Sequence, residues 1–139
     1  MALEITPFHD NDYSGVIDLW ESAFPADPAH NQSAAMIERK LHVQRELFLV
    51  ARDEDGVVGA VMAGYDGVRG WLHRLAVRPS ARRRGIGTAL VRAAEGGLAS
   101  LGCPKVNLQV RATNASVIAF YRSVGYEVDH NISMGRRLN

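Results

Sequence analysis

Residues 71–90 constrain this chain most, because a strand, a basic turn, two glycines and a helix follow one another there without interruption. The strand, residues 71–77, leads into three consecutive arginines and then into Gly85 and Gly87. The first turn of a helix has backbone N–H groups without intrahelical partners and carries the positive end of the helix dipole. Glycines let an anion approach these groups, and arginines pair with phosphate oxygens. The segment therefore predicts a site for a ligand that carries a pyrophosphate.

The residues around the two glycines exclude two common nucleotide-binding loops. A dinucleotide-binding loop needs a third glycine at the position of Leu90. A P-loop needs a lysine and a hydroxyl residue after its last glycine, whereas Thr88 and Ala89 follow Gly87 here. A different pyrophosphate ligand is therefore indicated.

Length and composition set the class of the protein. A chain of 139 residues with 47% hydrophobic and 22% charged residues is typical of one globular domain, which we expect to span residues 1–139. The net charge of +1 predicts neither a nucleic-acid nor a membrane partner. The single cysteine excludes an internal disulfide and suits a reducing compartment. No apolar run is long enough to span a membrane, so a cytoplasmic location is expected.

Hydrophobic patterning predicts strands and helices in alternation, and hence an α/β fold with a mixed sheet flanked by helices. The predicted strands cover residues 3–6, 47–51, 57–65, 71–77 and 105–111, and the last two lie within 126–138. The predicted helices run from Asp10 or Asp12 to Ala23, from Asn31 or Ser33 to Val43, from Gly85 to Leu101, and over residues 114–124.

Three motifs carry a resemblance to a known family. Arg82-x-x-Gly85-x-Gly87 resembles the Arg/Gln-x-x-Gly-x-Gly/Ala loop of the GNAT superfamily of N-acetyltransferases, which binds the pyrophosphate of acetyl-coenzyme A. Leu75-Ala-Val-x-Pro79 is similar to the fourth strand of that family and its exit. The family signature Asn-x-x-Ala-x-x-x-Tyr-x-x-x-Gly-Phe/Tyr resembles the run from Asn114 through Tyr121 to Gly125-Tyr126, with Val117 in place of the alanine. The resemblance covers essentially the whole chain and is strongest to the small bacterial YpeA-type members.

The resemblance implies a GNAT-like acyl-coenzyme A N-acyltransferase fold, in which the splayed central strands 71–77 and 105–111 form a cleft for the cofactor. Acetyl-coenzyme A would be the co-substrate, with direct transfer of its acetyl group to the primary amine of a small molecule or a peptide. A backbone N–H of the fourth strand, at Ala76 or Val77, would polarise the thioester, and Tyr121 would protonate the leaving thiolate. The residues implied in cofactor binding are Leu75, Ala76, Val77, Arg82, Arg83, Arg84, Gly85, Ile86, Gly87, Thr88 and Asn114.

The general base stays open. Several relatives place a glutamate on the fourth strand, but residues 71–77 contain no carboxylate, and Trp71 stands in the corresponding register. A histidine is half neutral near pH 6.5 and can accept a proton at neutral pH. The candidates are His73, Asp27, His30, Asp66 and a relay through water.

Other functions follow from simpler interpretations of the same residues. The missing carboxylate leaves a non-catalytic acyl-coenzyme A-binding module, such as a sensor, as the alternative. Asn114 would also serve as an ordinary helix cap, and Tyr121 as a core residue. The five histidines lack metal-ligand spacing, so no metal is expected. The identity of the acceptor and the oligomeric state, a homodimer included, stay open.

Overall fold

A five-stranded sheet is the main element of the computed structural model, which describes residues 2–25 and 32–139. The strands lie in chain order across the sheet; the first four are antiparallel, and the fifth is parallel to the fourth. They are β1 (Glu4–Pro7), β2 (Phe48–Asp53), β3 (Gly56–Tyr65), β4 (Gly70–Val77) and β5 (Val106–Leu108). The predicted mixed sheet is therefore confirmed.

Four α-helices and three short 3-10 turns accompany the sheet in the described residues. The helices are α1 (Tyr13–Ala23), α2 (Ser33–Lys40), α3 (Ile86–Ser100) and α4 (Ala115–Ser123). The 3-10 turns cover Asp10–Asp12, Arg45–Leu47 and Pro79–Ala81. None of the helices in the described part of the chain is long and apolar enough to cross a membrane.

The chain divides into two compact units, Met1–Gln109 and Val110–Asn139. The first contains the sheet and helices α1 to α3, and the second contains α4. That residues 1–139 work as one domain stays a prediction.

The sheet of the first unit carries helices on both faces. Ala60 lies in the core formed with α1, whereas a Cβ on the preceding Gly59 would stand 2.9 Å from Leu90 of α3. Since successive residues of a strand point to opposite faces, α1 and α3 cover opposite sides of the sheet. On the α1 side, the ring of Phe48 stacks on Phe8 and on Trp20, with centroids 4.7 and 5.6 Å apart.

Helix α3 lies unusually close to the strands beneath it. A Cβ at Gly97 would stand 2.6 Å from Leu47, and one at Gly70 would stand 2.7 Å from Cys103. Non-bonded contacts this short do not occur between a Cβ and another heavy atom. Glycine at these positions therefore allows the helix to pack this closely. The pair Gly96-Gly97 leaves the helix unbroken, and its inner face is fully buried at Ile86, Leu90, Val91, Ala94 and Leu98.

The predicted strands within residues 126–138 are wrong, because no described residue after Leu108 is in a strand. A strand exists only where its backbone pairs with a neighbour, and hydrophobic alternation alone does not supply that partner. The alternating side chains are solvent-exposed instead: Val128 is 54%, Ile132 88% and Met134 91% exposed. For the same reason β5 covers Val106–Leu108 rather than residues 105–111.

The first two helices differ from their predicted ends. Asp12 occupies the position before α1, but its carboxylate does not cap that helix. The second helix begins at Ser33, as one alternative predicted, and ends at Lys40 rather than Val43. Asn31, the other predicted start, lies outside the described residues.

The carboxylate of Asp12 is buried and binds Arg52 of β2 instead. Both of its oxygens accept hydrogen bonds from the guanidinium, and the His9 N–H donates to Oδ2 at 2.9 Å. Burial alone would raise the pKa of Asp12, but the bonds from Arg52 and His9 and the charge of Arg52 together lower it. This ion pair ties the start of α1 to the sheet.

We expect Asp12→Asn to lower the free energy of unfolding by about 2 kcal/mol at pH 7, because Arg52 loses a charged hydrogen-bond partner. A carboxyl whose pKa is lower in the folded than in the unfolded state stabilises fully above about pH 5. This stabilisation is lost as the pH falls through the folded-state pKa. Urea unfolding from pH 7 to pH 3 measures it, with the exposed Asp10→Asn as control. A deficit in Asp12→Asn that is as large at pH 3 as at pH 7 would contradict this assignment.

Candidate functional site

The central strands of the first unit pair over a short stretch and then stop pairing. β4 and β5 are in register at Gly70 with Val106, Trp71 with Asn107 and Leu72 with Leu108. β5 ends there, while β4 continues to Val77. In the described part of the chain, residues 73–77 therefore have β3 on one side, in register at His73, Ala76 and Val77, and no strand on the other. This stretch is called the open edge below.

One backbone N–H at the open edge is placed to polarise a carbonyl. The Arg78 N–H donates to the Val58 carbonyl of β3 at 2.8 Å. Because N–H directions alternate along an extended strand, the Val77 N–H points away from β3, towards the open edge. Ala76 pairs in register with Ala60 of β3. Of the two predicted positions, Val77 therefore has the suitable orientation.

A bulge interrupts β4 in the same stretch. The register with β3 shifts between Ala60 and Met62, and Arg74 has a left-handed backbone with φ of 57°. The guanidinium of Arg74 lies 4.7 Å from the ring centroids of both Trp20 and Phe24. These contacts hold the bulge against the end of α1. Sequence reasoning missed Arg74, since nothing in its local pattern distinguishes it from an ordinary strand residue.

The turn after β4 leads directly to the first turn of α3. Arg83 and Gly85 are both left-handed, with φ of 66° and 73°. A Cβ on Gly85 would meet nothing within 4 Å, so the backbone conformation rather than space favours glycine there. The backbone of the turn is therefore exposed where the chain enters α3.

The first turn of α3 offers backbone donors. The first intrahelical bond runs from the Ala89 N–H to the Gly85 carbonyl at 2.9 Å. The N–H groups of Ile86, Gly87 and Thr88 precede it, and no side chain caps this end of the helix. Gly85 is exposed, and Gly87 and Thr88 are partly accessible, whereas the side chain of Ile86 is buried. The first turn of α3 therefore has the uncapped donors that the predicted anion site requires.

The three arginines of the turn differ in their surroundings. Arg84 donates to Asp53, the last residue of β2, at 3.0 Å. The pKa of Asp53 is lowered, first by a hydrogen bond from the Asp55 N–H and then by Arg84. Arg82 and Arg83 are exposed, and their side chains make no hydrogen bond or ion pair within the described residues. These two are therefore the side chains available to a phosphate.

The base candidates fall in different places. Asp66 accepts hydrogen bonds from the N–H groups of Val68 and Arg69, both at 2.8 Å, and from the Trp71 indole at 3.2 Å. These bonds lower its pKa and fix it in the turn before β4. His73 is exposed on the open edge. Asp27 and His30 lie outside the described residues.

In the second unit, Asn114 caps α4, since its Oδ1 accepts a hydrogen bond from the Val117 N–H at 3.4 Å. Tyr121 of the same helix is 8% exposed. Its ring meets Phe120 and Tyr126 edge-on, with centroids 5.1 and 5.6 Å apart. Burial raises the pKa of Tyr121 to about 12, so its hydroxyl is protonated at physiological pH.

Comparison with known proteins places these features in context. A model of the acetyltransferase (GNAT) family matches residues 13–126. An acetyltransferase of Yersinia enterocolitica is 43% identical over 136 residues, which cover 98% of this chain and 96% of that protein. An acetyltransferase of Sodalis glossinidius is 44% identical over 137 residues, with 98% and 96% covered.

Solved structures share the fold. Ard1 of Thermoplasma volcanium has a TM-score of 0.83 at 25% identity, over 93% of this chain and 85% of that one. The aminoglycoside N-acetyltransferase AAC(6')-Iy, in complex with a bisubstrate analogue of coenzyme A and acetylneamine, has a TM-score of 0.81. Its identity is 17%, over 99% of both chains.

Proposed function

Because the chain belongs to the GNAT family of acetyltransferases, we propose that it moves the acetyl group of acetyl-coenzyme A directly to a primary amine. The family and the fold agree with the resemblance carried by the three motifs, and the protein is an N-acetyltransferase. The observation that carries the proposal is the continuity of the open edge of β4 with the uncapped first turn of α3. One stretch of chain would thus supply donors for a thioester and for a pyrophosphate.

The cofactor's pyrophosphate would bind the first turn of α3. The N–H groups of Ile86, Gly87 and Thr88 would bind its oxygens, with the helix dipole adding attraction. Arg82 and Arg83 would pair with phosphate groups, whereas Arg84 would first have to leave Asp53. Leu75 and Ala76, which lie on the strand before the turn, would also contact the cofactor. Asn114 would contribute a contact from the N-terminus of α4.

The thioester would be polarised at the open edge. A hydrogen bond from the Val77 N–H to the carbonyl oxygen would stabilise the negative charge that develops there in the transition state. Alignment of the two reactants contributes separately, about 7–11 kcal/mol in well-oriented reactions. No covalent intermediate on the protein is needed, since the thioester is already activated.

The reaction balances as a direct transfer. The acceptor's ammonium group first loses a proton to solvent water or to one of the open base candidates, and the resulting amine attacks the thioester carbonyl carbon. The C–S bond then breaks, and its electron pair leaves with the sulfur. Tyr121 would give its proton to this thiolate and regain one from the nitrogen of the new amide. Small amines and peptide N-termini both meet the chemical requirement for an acceptor.

Coenzyme A affinity tests the loop. We expect Gly87→Val to weaken binding at least about tenfold, or 1.4 kcal/mol, because its side chain would occupy the space of the pyrophosphate. Isothermal calorimetry measures the affinity. Gly96→Val is the matched control, since it makes the same change on an open side of α3, where a Cβ meets nothing within 4 Å. Equal affinities in both variants, with the fold intact by circular dichroism, would contradict this site.

Two ligands test which of the arginines contact the 3′-phosphate of coenzyme A. Because backbone donors serve the pyrophosphate, we expect Arg82→Ala or Arg83→Ala to weaken coenzyme A about tenfold and dephospho-coenzyme A less. Arg84→Ala should have a smaller effect, since Arg84 is paired with Asp53. Arg92→Ala, on the exposed face of α3, serves as the control. Equal losses for both ligands would refute a contact of either side chain with the 3′-phosphate.

Turnover tests the reaction itself. The protein is assayed with acetyl-coenzyme A and a panel of lysine, spermidine, an aminoglycoside and a short peptide with a free N-terminus. Acetylated product identified by mass spectrometry is expected for at least one member. Coenzyme A binding without any acetylated product would favour the non-catalytic binding module.

Tyr121→Phe tests the proposed acid on the acceptors that the panel identifies. The variant keeps the ring and removes the proton donor, so we expect kcat to fall about 100-fold with little change in acetyl-coenzyme A affinity. Tyr126→Phe removes a hydroxyl from the same aromatic cluster and should leave kcat near the wild-type value. A wild-type kcat for Tyr121→Phe would make Tyr121 a structural residue.

A further inference from the structure

The turn between β4 and α3 makes few hydrogen bonds of its own. The Arg82 N–H donates to the Pro79 carbonyl at 3.3 Å, and the next backbone bond is the one from α3 to the Gly85 carbonyl, at 2.9 Å. Between them, the N–H groups of Arg83 and Arg84 make no hydrogen bond within the described residues. Arg83 is also left-handed, a conformation that a residue with a side chain keeps only where its surroundings enforce it. The turn therefore needs a contact outside itself.

The side chain of Arg84 supplies that contact. Its Nη1 donates to Oδ2 of Asp53, the last residue of β2, at 3.0 Å. The Asp53 side chain is shielded from solvent, and that of Arg84 is 31% exposed. Since Arg82 and Arg83 have no side-chain partner in the part of the chain that the structure describes, this pair alone bonds the arginines of the turn to the sheet.

Asp53 is itself fixed by the hairpin that follows it. Its Oδ1 accepts a hydrogen bond from the Asp55 N–H at 2.8 Å, while Oδ2 binds Arg84. Its backbone is in register with Gly56 of β3, and β2 lies between β1 and β3 in the sheet. The Asp55 N–H and Arg84 lower the pKa of Asp53, so its carboxyl is ionised at pH 7. The turn after β4 is therefore tied to a fixed, charged point of the sheet.

A second interpretation gives the same pair the opposite effect. If Asp53 only withheld Arg84 from the ligand, breaking the pair would release a cation and strengthen the binding of a phosphate group. However, Arg82 and Arg83 are already available as cations, whereas the turn lacks another side-chain bond to the sheet among the residues described. Without the pair, the turn would have to be ordered when the ligand binds, and this ordering costs affinity. The observations therefore favour a supporting role for the pair.

We propose that Asp53 is a positioning residue for the cofactor's pyrophosphate: acting through Arg84, it holds the turn of residues 82–85 in the conformation that receives the ligand. This inference rests on the coenzyme A site of the proposed function, and not on the acetyl transfer itself. Arg84 accordingly stays on Asp53 when the ligand binds. The carboxylate acts from β2, outside the loop motif, and touches no phosphate.

Calorimetry with coenzyme A on a double-mutant cycle tests this coupling. Asp53→Asn and Arg84→Ala should each weaken binding about fivefold, because the freed turn must be ordered on binding. The double variant should also lose about fivefold, since each change breaks the same bond. Arg84→Lys, which keeps a donor for Asp53, should lose less than Arg84→Ala. Asp55→Asn is the matched control: it removes a carboxylate from the same hairpin but leaves the Arg84 bond, and it should bind at least as tightly as wild type.

Limited digestion with trypsin reports the order of the turn directly, because trypsin cleaves after arginine. In Asp53→Asn, cleavage after Arg82 and Arg83 should be about fivefold faster than in wild type, with the other sites unchanged. Asp55→Asn should be cut as wild type is. Equally faster cleavage throughout the chain of Asp53→Asn would mean a general loss of stability and would overturn the assignment.

The calorimetry separates the remaining outcomes. Tighter binding by Asp53→Asn would show that Asp53 withholds Arg84, and unchanged binding would show that the pair does not serve the ligand; either result overturns the assignment. Losses that multiply in the double variant would overturn it too, because the two residues would then act separately. A wild-type protein that binds coenzyme A but acetylates no amine would overturn the proposed acetyl transfer and leave this inference standing. A wild-type protein that does not bind coenzyme A would overturn both.

Discussion

The contact between Arg74 and the rings of Trp20 in α1 and Phe24 just after it is the interaction on which the backbone of the open edge depends. A left-handed arginine in a strand is unfavourable unless its surroundings stabilise it. Here the rings of Trp20 and Phe24 hold the guanidinium, while the Trp20 indole binds the Arg74 carbonyl. The bulge that results changes the register of β4 within the open edge. Burial on one face of the sheet thus sets the backbone geometry at its open edge.

The loop between β4 and α3 could be predicted because its determinants are local. Backbone donors at a helix start, left-handed glycine and clustered arginines act within a few residues, so residues 82–88 could be assigned without tertiary knowledge. The cap at Asn114 is local in the same way. Asp12 shows the limit: its type predicted a cap, but Arg52, distant in sequence, takes its carboxylate.

Features that depend on partners distant in sequence could not be predicted from the sequence. Alternation in residues 126–138 indicated strands, yet pairing requires an available edge, and hydrophobic period alone does not supply one. The role of Arg74 depends on rings more than forty residues away, and its neighbours in sequence give no sign of it. Likewise, nothing in the sequence distinguishes Arg82, Arg83 and Arg84 from one another. Only the position of Asp53 in the structure sets Arg84 apart.

The close seat of α3 has a mechanical consequence. Leu47 lies against Gly97 and Leu90 against Gly59, so the helix leaves no room for a side chain at either glycine. Gly97 lies ten residues from Gly87, about 15 Å along the axis at 1.5 Å per residue. A bulkier side chain at Gly97 would therefore have to displace Leu47 or the helix itself, and a displaced helix would move its first turn, where the phosphate donors are proposed to lie. The proposed recognition of coenzyme A would thus depend on packing remote from any phosphate.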